Sequence, residues 1–100
     1  MTQPSTSAPV DLDAEVRALG DELRRLPFVV AVNATMSEYE ENVATVGVVI
    51  VEDGDSANFI ETSGTISDWH GRLVRYLSVD VRIGFVEDGE MPWWWDQDGH

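Results

Sequence analysis

The feature that constrains the fold most is the stretch 43–51, VATVGVVIV. Five of its nine residues are valine and one is isoleucine. β-Branched side chains are stiff at χ1 and pack well on a pleated surface, so this composition is typical of a strand. Acidic segments border the stretch on both sides. We therefore predict that it forms the central strand of a sheet.

Two segments have the apolar periodicity of amphipathic helices. The first begins after Asp11, a suitable N-cap, and ends before Pro27, which blocks continuation. The second begins near Thr65, where Thr65 and Asp68 resemble a capping box, and we expect its Trp69 to anchor the core. Apolar residues at spacings of three and four define one face of each helix: Leu12, Val16, Leu19, Leu23 and Leu26 in the first, and Ile66, Trp69, Leu73, Tyr76 and Leu77 in the second.

Three further segments are predicted to be strands: 28–36, 57–61 and 79–85. The first and last alternate apolar and polar residues, whereas 57–61 (ANFIE) is expected to be a short edge strand. Alternation from Phe28 places Val30 on the core face of its strand and Val29 on the second face. With Val43, Val49 and Val51, Val29 would make that second face partly apolar.

The predicted order of elements is α-β-β-β-α-β. Helices with one apolar stripe and strands with one apolar face can bury these apolar surfaces against each other in a two-layer α/β sandwich of the α+β class. Short connections between the first three strands favour a mainly antiparallel sheet with both helices on one face. A chain of 100 residues suits one core. We expect a flexible N-terminal tail (1–10), a single domain (11–90) and a Trp-rich acidic C-terminal tail (91–100).

The charge of the chain is strongly negative. Nineteen acidic residues face six arginines, lysine is absent, and the formal net charge is −13. Such a field repels phosphate, so direct nucleic-acid binding is not expected. Three explanations stay open: adaptation to high salt, a general solubilising bias, and mimicry of DNA by a protein that inhibits a nucleic-acid-binding partner.

The residues that usually perform catalysis are few. There is no cysteine, and neither His70 nor His100 has the partners or spacing of a catalytic or metal site. The acidic turns 52–55 and 87–90 nearly repeat each other, but they lack the spacing of a calcium loop. We predict a protein that is not an enzyme, with no catalytic residue, metal or cofactor.

No membrane partner is expected either. No segment approaches the roughly 18 continuous apolar residues that a membrane span needs. The first residues also lack the charged start and apolar core of a signal peptide. We therefore predict a cytoplasmic protein.

Three consecutive tryptophans, Trp93 to Trp95, lie in the C-terminal tail. In an extended segment Trp93 and Trp95 would face one side and Trp94 the other. Tryptophan is enriched at interface hot spots, so we predict a self-associating interaction or assembly subunit. An alternative is a small-molecule or ion-binding regulatory domain that uses the same side chains in a pocket. The predicted partner-binding residues are Trp93, Trp94, Trp95, Val29, Val49 and Val51.

Overall fold

The computed structural model describes the backbone of residues 11–98 and the side chains of residues 11–95. The predicted flexible tail, 1–10, lies outside the described residues. Helix α1 spans Leu12–Arg24, and the Oδ1 of its N-cap Asp11 accepts a hydrogen bond from the Ala14 N–H at 3.1 Å. The carboxylate satisfies one of the amides that a helix start leaves without an intrahelical partner. The first predicted helix is confirmed.

The sheet has three strands in the order β1-β2-β3: β1 (Val29–Met36), β2 (Val43–Ile50) and β3 (Ser78–Phe85). The β-branched stretch is the central strand, as predicted. β1 pairs with β2 antiparallel, whereas β3 pairs with β2 parallel, because a helical crossover carries the chain from one to the other. The sheet is therefore mixed rather than mainly antiparallel.

Helix α2 spans Ala57–Gly71, so the prediction of a strand at 57–61 is wrong. Two carboxylates just upstream explain why this segment is helical. Asp55 Oδ1 accepts from the Ala57 N–H at 3.1 Å, and Asp53 Oδ2 accepts from the Asn58 N–H at 3.2 Å. These bonds satisfy the first amides of α2 and start it two turns before the expected capping box. The observed order is α1-β1-β2-α2-β3-α3, and the short helix α3 spans Trp93–Asp98.

Both long helices pack on one face of the sheet, which confirms the two-layer α+β sandwich. Alternate residues of β2 point into the core between sheet and helices, and Trp69 lies there with 2% of its surface exposed. Leu73 and Leu77 extend the core past the end of α2. The buried cluster consists of Val16, Leu19, Leu23, Ala44, Val46, Val48, Ile50, Ile66, Trp69, Leu73 and Leu77.

A bulge near the start of β1 corrects the predicted faces of that strand. Val29 pairs with Ile50, but Ala31 pairs with Val49, so β1 has one extra residue between these pairs. An extra residue shifts the alternation by one position. Val29 therefore packs against the core instead of lying on the second face, and Val30 is 51% exposed instead of buried.

Candidate interaction site

The C-terminal tail turns back onto the face of the sheet opposite the two long helices. Asp88 and Gly89 both have positive φ, 53° and 80°, as in the tight turns of hairpins. Glu87 and Glu90 close this turn with two backbone hydrogen bonds of 3.1 and 2.8 Å. The reversal brings Pro92, Trp94 and Trp95 against Gly47 of β2 or Gly84 of β3.

Gly47 and Gly84 form a socket for the indole of Trp94. A Cβ at Gly84 would lie 2.7 Å from Cζ2 of Trp94 and 2.8 Å from Cγ of Pro92, closer than real contacts allow. A Cβ at Gly47 would lie 3.5 Å from Cζ3 of the same indole. The indole reaches the sheet because Gly84 has no side chain. We call this pair the Gly47–Gly84 socket.

Two further contacts surround the seated indole. The guanidinium carbon of Arg82 lies 5.2 Å from the centre of the Trp94 ring, within the range of a cation–π interaction. The ring of Trp95 meets that of Trp94 edge-on, with 6.0 Å between centroids. The tail is thus fixed to its own domain through Trp94 and Trp95.

The structure divides the predicted partner-binding residues. Trp93 is 74% exposed, whereas Trp94 and Trp95 are half-buried, because the segment is helical rather than extended. The predicted grouping of Trp93 with Trp95 is therefore wrong. Val49 lies on the second face and is fully buried in its own chain, while Val51, just after β2, is 47% exposed.

Trp93 and Met91 are exposed apolar side chains beside a cleft that was not predicted from the sequence. Phe85, Met91, Pro92 and Trp93 line a cleft of about 460 Å³. The ring of Phe59 lies near that of Phe85, with 6.3 Å between their centroids, and Phe85 packs partly against the core. We call these five residues the aromatic patch. The signal in the sequence was the pair of apolar residues Phe59 and Ile60, which the strand prediction placed at a sheet edge.

Acidic residues border the aromatic patch. Glu87, Asp88 and Glu90 line the same cleft as Met91 and Trp93, and all three belong to the turn that reverses the tail. An apolar centre within a polar rim is the usual anatomy of a protein interface. The rim here carries a single sign of charge, and added salt screens the repulsion between like charges.

A second cleft, of about 380 Å³, lies between the tail and the sheet. Its floor includes polar side chains from all three strands, and its wall is formed by tryptophans of the tail. The volume falls within the roughly 300–1,000 Å³ of small-molecule sites. We call it the polar cleft; its lining includes Asn33, Thr45, Asp80, Arg82, Trp94 and Trp95.

His70 and the acidic turn 52–55 have structural partners. The Nε2 of His70 lies 2.7 Å from the backbone oxygen of Leu77, where a ring N–H donates. Asp53 and Asp55 cap α2, as described above. Among residues 11–95, no three His, Asp or Glu side chains form a group that could hold a metal ion.

Comparison with known proteins adds no relative. A scan against protein-family models finds no match for this chain, and a search of curated proteins finds none. Within residues 11–98, no helix has the length and apolar character needed to cross a membrane. The aromatic patch and the polar cleft are therefore the grounds on which a function is proposed.

Proposed function

We propose that this protein is a non-enzymatic interaction subunit that self-associates through the aromatic patch. The observation that carries this proposal is the exposure of Trp93. Its two neighbours attach the tail to the sheet, so Trp93 is held outward on a short helix. A large exposed indole in an apolar surface is the side chain most characteristic of binding hot spots.

The patch is supported by several elements of the fold. Phe59 belongs to α2, Phe85 ends β3, and Trp93 begins α3. Side chains held on regular elements lose less conformational freedom on binding than those on an open loop. A preformed surface of this kind favours association without a large structural change.

A twofold dimer is the simplest arrangement for such a patch. In an isologous interface the same surface of both copies meets itself, so the apolar residues of one patch bury those of the other. The same symmetry places the acidic rims near each other, and two chains of net charge −13 repel. Dimer formation should therefore strengthen as salt screens that repulsion.

Solution mass tests this proposal. Sedimentation of the full chain from roughly 0.05 to 2 M KCl, where the Debye length falls from above 10 Å to below 3 Å, should show the mass rising about twofold. At the same low protein concentration, Trp93→Ser should remain monomeric at every salt concentration. Tyr39→Ser is a matched control, because Tyr39 is 93% exposed in the connection at the other end of the sheet. A wild-type chain that stays monomeric at every salt concentration would contradict the proposal.

The polar cleft supports a second candidate, a small-molecule regulatory domain. Its polar floor and tryptophan wall suit a flat ligand with hydrogen-bonding edges. Adenine, benzoate and benzamidine serve as probes of neutral, anionic and cationic type in thermal melts. Thr45→Ile fills the floor of the cleft with a larger apolar side chain. A probe that raises the melting temperature of the wild type but not that of Thr45→Ile would support this role. No shift with any of the three would count against it.

A further inference from the structure

The Gly47–Gly84 socket recognises one particular side chain, the indole of Trp94. We propose that it also accepts Trp94 from a second copy of this chain, so that two copies exchange residues 91–98. This inference rests on the proposed self-association and names a second route for it. Exchange of an identical element between protomers forms dimers at low cost, since the contacts already exist within one copy.

The socket is specific because Gly84 must lack a side chain, whereas a Cβ at Gly47 would only touch the indole at an ordinary contact distance of 3.5 Å. Gly47 pairs with Arg82 in the sheet, and Gly84 pairs with Val49, so the two glycines lie on one face, one diagonal apart. Pro92 fits against Gly84 together with Trp94. Sheet and tail supply these contacts equally well when the tail comes from another copy.

The turn at Asp88 and Gly89 is the hinge that decides between the two arrangements. It is a single tight turn, and its closing bridge places Glu87 opposite Glu90. Like charges at directly opposed positions destabilise such a pair. With the turn open, the eight residues after Val86 span roughly 26 Å when extended, which carries Trp94 away from its own socket.

Concentration sets the balance between closed and exchanged tails. Trp94 makes the same contacts in the closed and the exchanged arrangement. The free energies of the two arrangements therefore differ through the conformation of the hinge and the entropy of association. A tail on a short connection has an effective concentration in the millimolar range at its own socket. Exchange therefore grows with protein concentration and with any change that opens the hinge.

Two complementary variants test the exchange. Gly84→Ala blocks the socket but keeps Trp94, whereas Trp94→Ala keeps the socket but removes the indole. All chains also carry Trp93→Ser, so the aromatic patch does not contribute. Each variant alone should be a folded monomer, and the mixture at about 1 mM should contain a species of about twice the mass. Tryptophan emission should shift to shorter wavelength on mixing.

Controls separate this result from general association and from misfolding. A chain with both Gly84→Ala and Trp94→Ala, mixed with Trp94→Ala, should remain monomeric, because no free indole meets an open socket. If Gly84→Ala loses the far-UV circular dichroism of the wild type, Gly47→Leu blocks the socket instead. A complementary mixture that stays at monomer mass would overturn the exchange. The proposed role of the aromatic patch is tested separately, by the solution mass of Trp93→Ser alone.

The hinge gives an independent measurement. Asp88→Pro cannot adopt the observed φ of 53°, because proline fixes φ near −65°, so the closed tail should be lost. In chains that carry Trp93→Ser, the dimer fraction of Asp88→Pro should exceed that of the parent, Trp93→Ser alone, at equal protein concentration. Asp88→Asn, which tolerates positive φ, is the control. A monomeric Asp88→Pro with the emission of the parent would also overturn the exchange.

Discussion

The indole Nε1 of Trp69 donates a hydrogen bond to the backbone oxygen of Glu15 over 3.1 Å. This bond joins α2 to α1, although β1 and β2 lie between the two helices in the sequence. It also satisfies the polar atom of the largest side chain in the core. Trp69 thus fixes how the two helices lie beside each other on the sheet.

We expect Trp69→Phe to lower the free energy of unfolding by about 1–3 kcal/mol. The change removes the bond to Glu15 and leaves a cavity where the larger ring was. Urea denaturation measures the loss. Tyr76→Phe is the control, since Tyr76 is exposed and should change stability by less than about 0.5 kcal/mol. Equal values for the two variants would show that the bond and the fit of the indole contribute little.

The strongest periodic signals in the sequence predicted most of the core, although Tyr76, which the prediction placed on the apolar face of the second helix, is 53% exposed. The β-branched stretch is the central strand, and the stripe on α1 and Trp69 on α2 are buried against it. These signals succeed because burial of apolar surface is the main driving force of folding and imposes its period on each helix and strand.

The errors arose where short-range chemistry outweighs pattern. The short apolar run 57–61 fits either a strand or a helix, and the carboxylates of Asp53 and Asp55 settle it in favour of α2. The sequence gives no sign of the bulge at Val30, because the residues on both sides of it are also apolar. The socket depends on Gly47 and Gly84 being diagonal neighbours on one face of a parallel strand pair, which sequence spacing does not reveal.

Ile50→Ala should cost about 2–5 kcal/mol. Ile50 is fully buried at the end of β2 and belongs to the core cluster between sheet and helices. Val51→Ala, one residue later and about half exposed, should cost less, at most about 1 kcal/mol. Chemical denaturation of both variants checks this. A loss below about 1 kcal/mol for Ile50→Ala would be too small for a core residue of the central strand.

Two Gly→Ala substitutions should change stability in opposite directions. Gly64 lies inside α2 with nothing within 4 Å of an added Cβ, so Gly64→Ala should stabilise the chain by about 0.5–1 kcal/mol. Gly84→Ala should destabilise it and release Trp94, with tryptophan emission shifting to longer wavelength. Thermal melts and fluorescence of the same samples test both effects. Unchanged emission in Gly84→Ala would mean that the indole does not depend on the socket.

Salt should stabilise the folded monomer itself. Nineteen acidic residues against six arginines repel one another more strongly in the compact state than in the unfolded chain. Added salt screens this repulsion, since the Debye length falls from about 10 Å at 0.1 M to 3 Å at 1 M. Melts at low protein concentration, where association is negligible, should therefore move to higher temperature from roughly 0.05 to 2 M KCl.

A variant with less charge separates screening from other effects of salt. Glu38, Glu40 and Glu41 are exposed in the connection between β1 and β2, and replacing all three by Gln removes three negative charges. If repulsion causes the salt dependence, this variant should melt higher than the wild type at low salt and gain less from added KCl. A flat or falling wild-type curve would exclude high-salt adaptation as the reason for the acidity. The acidic residues would then be explained by solubility or by a binding role.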